Sequence, residues 1–278
     1  MRIGIDLGGT NVRGGIVSWD WNITNYSREP FRNQGTLDET LGQLIEFIRP
    51  MTGKGIVGIG IGVPSVVDLQ QGIVYNVTNI PSWEKVPLKD IIQKQFNVPV
   101  EINNDVNCFI LGEHRHGLVK GLKNVVGVSC GTGLGAGVII NGELFSGTNC
   151  GAGEVGLLHY LDHNIEYYAS GNLFKVQFNT TAEEAHRQAV NGAAWALEAW
   201  KEFGEHLAEA LKSVVYTFDP EAIVLGGSLS KAFALYETPM KIAMKNFEFP
   251  ESIRRLKIYQ TQNENITLLG AAALVSES

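Results

Sequence analysis

The first seventeen residues constrain the fold of this chain more than any other segment. An apolar run that carries one acid, Asp6, breaks at the small-residue turn Gly8-Gly9-Thr10-Asn11 and resumes as Gly14-Gly15-Ile16-Val17. This pattern predicts a strand, a glycine turn and a returning strand. The turn offers backbone N–H groups and a hydroxyl that suit phosphate oxygens, and the adjacent carboxylate suits Mg²⁺ held through water.

The same pattern recurs in the middle of the chain. A predicted strand at residues 124–130 is followed by the turn at residues 131–135, Gly-Thr-Gly-Leu-Gly, and by a second apolar run at residues 136–140. Glycine in a turn usually serves only to allow a positive φ angle, so one such hairpin is weak evidence for a phosphate site. Two of them favour a duplicated fold that clamps a single nucleotide.

Length and composition narrow the class of protein. The 278 residues suffice for about two domains, and 44% hydrophobic with 18% charged residues is typical of a globular protein. A net charge of −7 argues against a nucleic-acid surface, so we expect no nucleic-acid partner. No apolar stretch approaches the roughly 20 residues needed to cross a membrane, and Asp6 interrupts any signal-like segment, so we expect a cytoplasmic protein.

The three cysteines carry no sign of a disulfide or a metal site. Cys108, Cys130 and Cys150 are odd in number, no pair has CxxC spacing, and each lies among apolar or small residues. We therefore interpret them as reduced packing residues.

Hydrophobic periodicity gives the order of elements. An apolar stripe at three- and four-residue steps between residues 200 and 215 predicts a core face or a subunit interface. The predicted boundary between domains lies near residue 106. Strands are predicted at residues 3–7, 13–19, 23–28, 57–63, 98–102 and 222–225, and helices at residues 36–49, 88–96, 106–116, 182–218 and 268–275.

Asp105 is the first candidate for chemistry. It follows a predicted strand and has asparagines at positions 103, 104 and 107. Ligands of open α/β sheets bind at the carboxyl ends of strands, and an acid there can accept the proton of a substrate hydroxyl that attacks a phosphoryl group. Asp and Asn are also the favoured helix N-caps, and a cap is the simpler interpretation of this residue in isolation.

Two further acids and a late glycine pair are candidates for binding. Glu154 lies in a glycine-rich run, where small neighbours let a ligand approach, and Glu166 precedes a similar segment; such carboxylates suit sugar hydroxyls, although a solvated loop acid is the alternative. Gly226-Gly227 ends a predicted strand and would let an adenine or ribose lie against the backbone. The alternative is a strand-to-helix turn with Ser230 as its cap.

A metal site between residues 159 and 166 is a minor hypothesis. If this segment were helical, His159 and His163 would share a face beside Asp162 and Glu166, with spacing that suits a transition metal. Nothing in the sequence indicates a helix there, and exposed mixtures of these residue types are common.

Taken together, these segments resemble the ROK family of bacterial sugar kinases and, more broadly, the actin-like (ribonuclease H-like) ATPase fold. The resemblance spans essentially the whole chain. No single segment is specific to the family, but eight segments in the family's order together are specific. They are residues 6–11, 60–65, 79–83, 104–107, 131–135, 153–156, 166–171 and 219–227. The implied fold is a two-lobed α/β structure with mixed β-sheets and flanking helices. Its N-terminal lobe would be residues 1–106 plus a C-terminal helix at about 266–278, and its C-terminal lobe residues 107–265.

The resemblance also implies an activity and roles for individual residues. It implies ATP- and Mg²⁺-dependent phosphorylation of a hexose, glucose or a close relative, at the 6-hydroxyl, by a homodimer. Asp105 would be the catalytic base, and Asp6 would position Mg²⁺ through water. The sugar contacts would be Ser65, Asn79, Asn104, Glu154 and Glu166, and the nucleotide contacts Gly8, Gly9, Thr10, Asn11, Gly131, Thr132, Gly133, Gly226 and Gly227.

One block departs from the family pattern. Family members usually carry Glu-x-Gly-His and then a cysteine-rich zinc motif, whereas here the His position is Leu157 and residues 157–165 contain no cysteine. We therefore expect no zinc site, and expect one sugar contact to be lost or supplied by His159.

The departure keeps two alternatives open. One is a non-catalytic sugar sensor on the same fold, and the other is a related phosphotransferase with a non-sugar acceptor. Repressors of the family carry an N-terminal helix-turn-helix, whereas this sequence starts at the phosphate hairpin, so we expect the kinase branch.

Overall fold

The computed structural model describes residues 1–276, which divide into two compact units. The first unit comprises residues 1–121, 144–152 and 263 onward, and the second comprises residues 122–143 and 153–262. The contact-defined boundary lies later than the boundary expected at residue 106, because the helix that follows Asn104 packs against the C-terminal helix. That C-terminal helix, expected at about 266–278, ends at Ala273, and residues 277 and 278 lie outside the described part.

The elements largely follow the predicted order. The strands are β1 (Arg2–Leu7), β2 (Asn11–Val17), β3 (Ile23–Pro30), β4 (Ile59–Val63), β5 (Val67–Asp68), β6 (Ile73–Tyr75), β7 (Lys85–Val86), β8 (Val100–Asn104), β9 (Val125–Cys130), β10 (Leu134–Ile140), β11 (Glu143–Phe145), β12 (His159–Tyr160), β13 (His163–Asn164), β14 (Ala222–Gly226) and β15 (Lys257–Gln260). The helices are α1 (Leu37–Ile48), α2 (Leu88–Phe96), α3 (Asp105–Arg115), α4 (Ile165–Tyr168), α5 (Gly171–Phe178), α6 (Ala182–Val190), α7 (Ala194–Phe218), α8 (Phe233–Met244), α9 (Pro250–Arg255) and α10 (Ile266–Ala273).

Each unit contains a five-stranded mixed sheet with the same arrangement. The order is β3-β2-β1-β4-β8 in the first unit and β11-β10-β9-β14-β15 in the second. Antiparallel hairpins, β1–β2 and β9–β10, join parallel strands that follow later in the chain. The two predicted glycine hairpins therefore occupy equivalent positions in their sheets, as a duplicated fold requires.

Glycines bring α10 into backbone contact with its neighbours in the first unit. A Cβ on Gly112 of α3 would lie 2.2 Å from the carbonyl oxygen of Ile266, and a Cβ on Gly60 of β4 would lie 1.8 Å from that of Ala271. The alternating glycines of β4 are thus explained by helix packing. This packing fixes the axis of α3, whose first residue is Asp105.

The second unit is built around α7, and here one prediction is wrong. Residues 182–218 form two helices, α6 and α7, because the chain turns at residues 191–193, where Gly192 has a φ of 82°. The apolar stripe is buried within its own unit, which favours the core over the subunit interface. Its members are Trp200, Phe203, Leu207, Leu211, Val214 and Val215. The homodimer stays a prediction without the support of this stripe. Within the described residues, no helix has the length and apolar character needed to span a membrane.

Candidate active site

The polar residues of the first unit gather at one edge of its sheet. β1, β4 and β8 are parallel, with Asp6 opposite Gly62 and with Asn104 ending β8. Asp105 and Asp6 both lie close enough to Cys108 that their negative charges, after burial as the main cause, raise the pKa of its thiol. The predicted base and the predicted Mg²⁺-positioning carboxylate are therefore neighbours at the carboxyl ends of parallel strands, where ligands bind in open α/β sheets.

Asn104, not Asp105, caps α3. Its Oδ1 accepts hydrogen bonds from the backbone N–H groups of Val106 (2.8 Å) and Asn107 (3.3 Å). Asp105 takes the first helical position, and its Oδ1 shares the Val106 N–H at 2.9 Å. Because the neighbouring asparagine provides the cap, the simpler interpretation of Asp105 as the N-cap is wrong. The helix N-terminus favours the ionised carboxylate that a base requires.

Three predicted binding residues lie in the same unit. Asn104 Nδ2 donates to the Ser65 carbonyl oxygen (3.3 Å), and Ser65 Oγ donates to the Tyr75 carbonyl oxygen. Asn79 packs on the first glycine turn, since a Cβ on Gly9 would lie 2.7 Å from Asn79 Cβ. Ser65 therefore adjoins the end of β8, and Asn79 adjoins the first glycine turn.

The glycine turn at residues 8–11 closes through its own backbone and side chains. Gly8 N–H donates to the Asn11 carbonyl oxygen at 2.9 Å. Asn11 Nδ2 donates to Thr10 Oγ1 at 3.0 Å. Thr10 and the N–H groups of the turn thus form a compact loop directly after β1.

Asp6 forms an ion pair that sequence reasoning missed. Arg13 Nη2 donates to Asp6 Oδ2, and Arg13 Nη1 donates to the Glu264 carbonyl oxygen at 2.8 Å. Asp6 is only 5% exposed; burial raises the pKa of its carboxyl and the Arg13 charge counteracts that rise. The pairing was readable from the hairpin register, which places Arg13 directly opposite Asp6.

The donor set at Asp6 fits a water-mediated Mg²⁺ ion. Arg13 hydrogen-bonds to Oδ2, one of the two carboxylate oxygens of Asp6. Mg²⁺ keeps several waters and takes one or two protein carboxylates together with substrate phosphates. Asp6 would hold such an ion through water beside the turn at residues 8–11.

The predicted nucleotide contacts of the second unit also meet at a strand edge. β9 and β14 are parallel with Ser129 opposite Gly226, so the turn at residues 131–133 and the Gly226-Gly227 pair follow adjacent strand ends. Gly171 N–H donates to the Gly131 carbonyl oxygen at 2.8 Å. Three segments with small residues, including Thr132, therefore converge within this unit.

Gly227 is required by the protein's own backbone. Its φ is 80°, and a Cβ there would lie 2.2 Å from the Cys130 carbonyl oxygen. Ser230 is not the cap of a helix, because it lies inside a short 3-10 helix (Ser228–Ala232) and its Oγ donates to the Gly227 carbonyl oxygen at 2.8 Å.

Glu166 contacts the second glycine turn directly. Its Oε2 accepts a hydrogen bond from Leu134 N–H at 2.8 Å, and a Cβ on Gly133 would lie 2.5 Å from that oxygen. Sequence analysis assigned Glu166 to the sugar, with a metal site as a minor alternative. The structure links it to the predicted phosphate-binding turn as well.

Glu154 lies near Glu166 in the same unit. Burial, and then the negative charge of Glu166, raises the pKa of the Glu154 carboxyl. The glycines around it serve packing, since a Cβ on Gly153 would lie 1.9 Å from the Ala136 carbonyl oxygen and one on Gly156 would lie 2.2 Å from that of Leu134. Ligand approach is therefore not needed to explain these glycines.

Residues 159–164 form a β-hairpin, so the helical metal hypothesis is wrong. β12 pairs with β13 through His159 opposite Asn164, and Leu161 in the turn has a φ of 53°. His159 and His163 therefore do not share a helix face. In the part of the chain that the structure describes, no three His, Cys, Asp or Glu side chains are arranged to hold a metal ion. The absence of zinc stays a prediction, as does the sugar contact by His159.

With the geometry in place, comparison with known proteins decides the family. The sequence model of the ROK family matches residues 2–278. The chain belongs to the ROK family. Its two sheets with equal strand order are the actin-like ATPase fold that was predicted from the sequence.

Individual relatives in the ROK family include enzymes and regulators. A glucokinase from Thermotoga maritima is 27% identical over 99% of this chain and 97% of that protein. A xylose repressor from Bacillus spizizenii is 28% identical over 99% of this chain and 77% of that protein. A ROK family glucokinase from Streptomyces griseus, crystallised with glucose and AMPPNP, has the same fold with a TM-score of 0.86 at 24% identity, over 99% and 98% of the two chains. The glucokinase relatives support phosphorylation of a sugar, and the repressor leaves a regulatory role open.

Proposed function

We propose that this ROK protein transfers the terminal phosphate of ATP to the 6-hydroxyl of a hexose, glucose or a close relative, with Mg²⁺. The observation that carries the proposal is the position of Asp105. It begins α3 at the carboxyl edge of the β1–β4–β8 sheet and lies near Asp6. A carboxylate there is suited to accept the hydroxyl proton as the sugar oxygen attacks the phosphoryl group.

The remaining residues would bind and orient the two substrates. Sugar hydroxyls would contact Ser65, Asn79, Asn104, Glu154, His159 and Glu166. The phosphates would lie against the turns at residues 8–11 and 131–133, and the nucleoside against Gly226 and Gly227. Mg²⁺, held through water by Asp6, would neutralise phosphate charge. The relative crystallised with glucose and AMPPNP supports this choice of ligands.

An ADP-release assay across hexoses and amino sugars tests the proposal. We expect turnover with glucose or a close relative that requires both ATP and Mg²⁺. Folded protein that turns over no sugar contradicts the proposal. Tight sugar binding without turnover would instead support a sugar sensor, the second candidate, which the similarity to a xylose repressor favours.

The raised pKa of Glu154 predicts the pH dependence of sugar binding. A carboxyl with a raised pKa takes up its proton at a higher pH than an ordinary glutamate, so the ionised form that accepts sugar hydroxyls is lost earlier on acidification. We expect sugar affinity, measured by calorimetry, to fall below a pH that exceeds the usual glutamate pKa. Glu154→Gln should bind sugar more weakly at neutral pH, and its affinity should no longer show this fall on acidification. If Glu154→Gln still showed the same fall in affinity on acidification, a group other than Glu154 would cause it.

A further inference from the structure

The hairpin of β12 and β13 leads directly into the helix that carries Glu166. Asn164 ends the hairpin and caps α4, because its Oδ1 accepts a hydrogen bond from Tyr167 N–H at 2.9 Å. Ile165 N–H donates to the Leu158 carbonyl oxygen at 3.0 Å, which closes the base of the hairpin. The position of the hairpin therefore sets the position of Glu166.

A side-chain contact fastens this hairpin to α7. The Tyr160 hydroxyl and His206 Nδ1 lie 3.0 Å apart. Burial, with the negative charges of Glu209 and Glu205, raises the pKa of the Tyr160 hydroxyl. His206 Nε2 then points toward Glu202 Oε1, 3.5 Å away on the previous turn of α7.

A second contact joins the tip of the hairpin to the end of α4. The Tyr168 hydroxyl donates to the Asp162 carboxylate, and this hydrogen bond is the main reason that the pKa of Tyr168 is raised to about 12. The Tyr168 ring lies edge-on to the Tyr160 ring, with centroids 5.6 Å apart, and 4.9 Å from the His206 ring. These contacts join the end of α4 both to the hairpin and to α7.

Glu166 transmits this position to the second glycine turn. Its carboxylate accepts the Leu134 N–H immediately after the turn and lies against Gly133. A displacement of α4 would therefore move Glu166 and remove a hydrogen bond that orders the turn at residues 131–133. All of these contacts lie within the second unit.

We propose that the Tyr160–His206 pair is a clasp that positions Glu166 and, through it, the turn at residues 131–133. The clasp residues touch neither of the proposed substrates, so they are positioning residues. The effect on sugar affinity rests on the proposed function, because it requires Glu166 to contact the sugar. The effect on the turn does not.

Steady-state kinetics test the clasp in the intact protein. Tyr160→Phe removes the hydroxyl and keeps the ring, and we expect the KM for the hexose to rise about three- to tenfold, the range for one lost hydrogen bond, with kcat within about twofold. Tyr216→Phe is the matched control, because Tyr216 is an exposed tyrosine on α7, the helix that carries His206. In a Glu166→Gln background, Tyr160→Phe should change KM little further. An equal KM increase in both backgrounds overturns positioning through Glu166.

Amide hydrogen exchange gives a readout that does not need turnover. We expect Tyr160→Phe to speed exchange in the peptide containing Leu134, with peptides from β14 unchanged, and Tyr216→Phe to alter neither. Unchanged exchange at Leu134 in Tyr160→Phe contradicts the clasp, whether or not the wild type phosphorylates a sugar. If the wild type turned over no sugar but Tyr160→Phe still sped up exchange at Leu134, the proposed function would be contradicted and the clasp would remain supported.

Discussion

Asp105→Asn should lower kcat by about 10²–10⁴-fold, the usual contribution of a general base, while the KM for the hexose stays within about threefold. The amide has nearly the shape of the carboxylate, and its oxygen can still accept the Val106 N–H that Asp105 shares at 2.9 Å. It cannot accept the proton of the sugar hydroxyl. The ADP-release assay measures kcat, and calorimetric titration with the sugar measures binding without turnover.

Asp90→Asn provides the matched control for this substitution. Asp90 is an exposed aspartate in the first turn of α2, so the same chemical change occurs within the first turn of another helix, away from the candidate site. Its kcat should equal that of the wild type. If Asp105→Asn kept more than about a tenth of the wild-type kcat, Asp105 would not be the base. Thermal unfolding of both variants shows whether either change disturbs folding.

Local patterns in the sequence were sufficient for most of the secondary structure. The two glycine hairpins follow from apolar runs on both sides of a small-residue turn, and they form as β1–β2 and β9–β10. Helix α1 follows from apolar residues at helical spacing, and Thr36 closes a capping box with Glu39 at its start. Such features depend on neighbours within a few residues, so a single amino-acid sequence is enough to predict them.

The break between α6 and α7 shows where periodicity misleads. Apolar residues continue on both sides of residues 191–193, so the helical pattern extends across the turn. The signal that stops α6 was nevertheless present, because Asn191 and Gly192 are residues that favour the end of a helix. Gly192 adopts the left-handed conformation there, with a φ of 82°.

The predicted order of strands and helices was enough to single out candidate residues. Contacts between side chains that are far apart in the sequence could not be predicted. Asp105 was chosen as a candidate because it follows a strand and begins a helix, a position that the sheet topology favours for ligands. The hydrogen bond from Leu134 to Glu166 joins residues 32 positions apart. Cys150 Sγ donates to Asn103 Oδ1 at 3.2 Å, which ties the loop at residues 144–152 to the first unit. No local pattern encodes either contact.

Gly270→Ala should cost at least about 3 kcal/mol of the free energy of unfolding, at the upper end for overpacking a core. The new Cβ would lie 1.7 Å from the Cys108 carbonyl oxygen and 2.8 Å from Gly112 N, both of them backbone atoms of α3. No side-chain rotation relieves such a clash, so α10 and α3 must separate. Urea denaturation followed by circular dichroism measures the loss as a lower midpoint.

Gly42→Ala makes the same chemical change inside α1, where a Cβ would meet no other atom within 4 Å. Alanine has the higher helix propensity, so this variant should gain about 0.5–1 kcal/mol. Because propensity acts equally at both positions, the difference between the variants isolates the contact of α10 with α3. Equal midpoints would mean that this contact tolerates a methyl group. Since α3 begins at Asp105, a Gly270→Ala variant that still folds should also lose kcat, whereas Gly42→Ala should keep it.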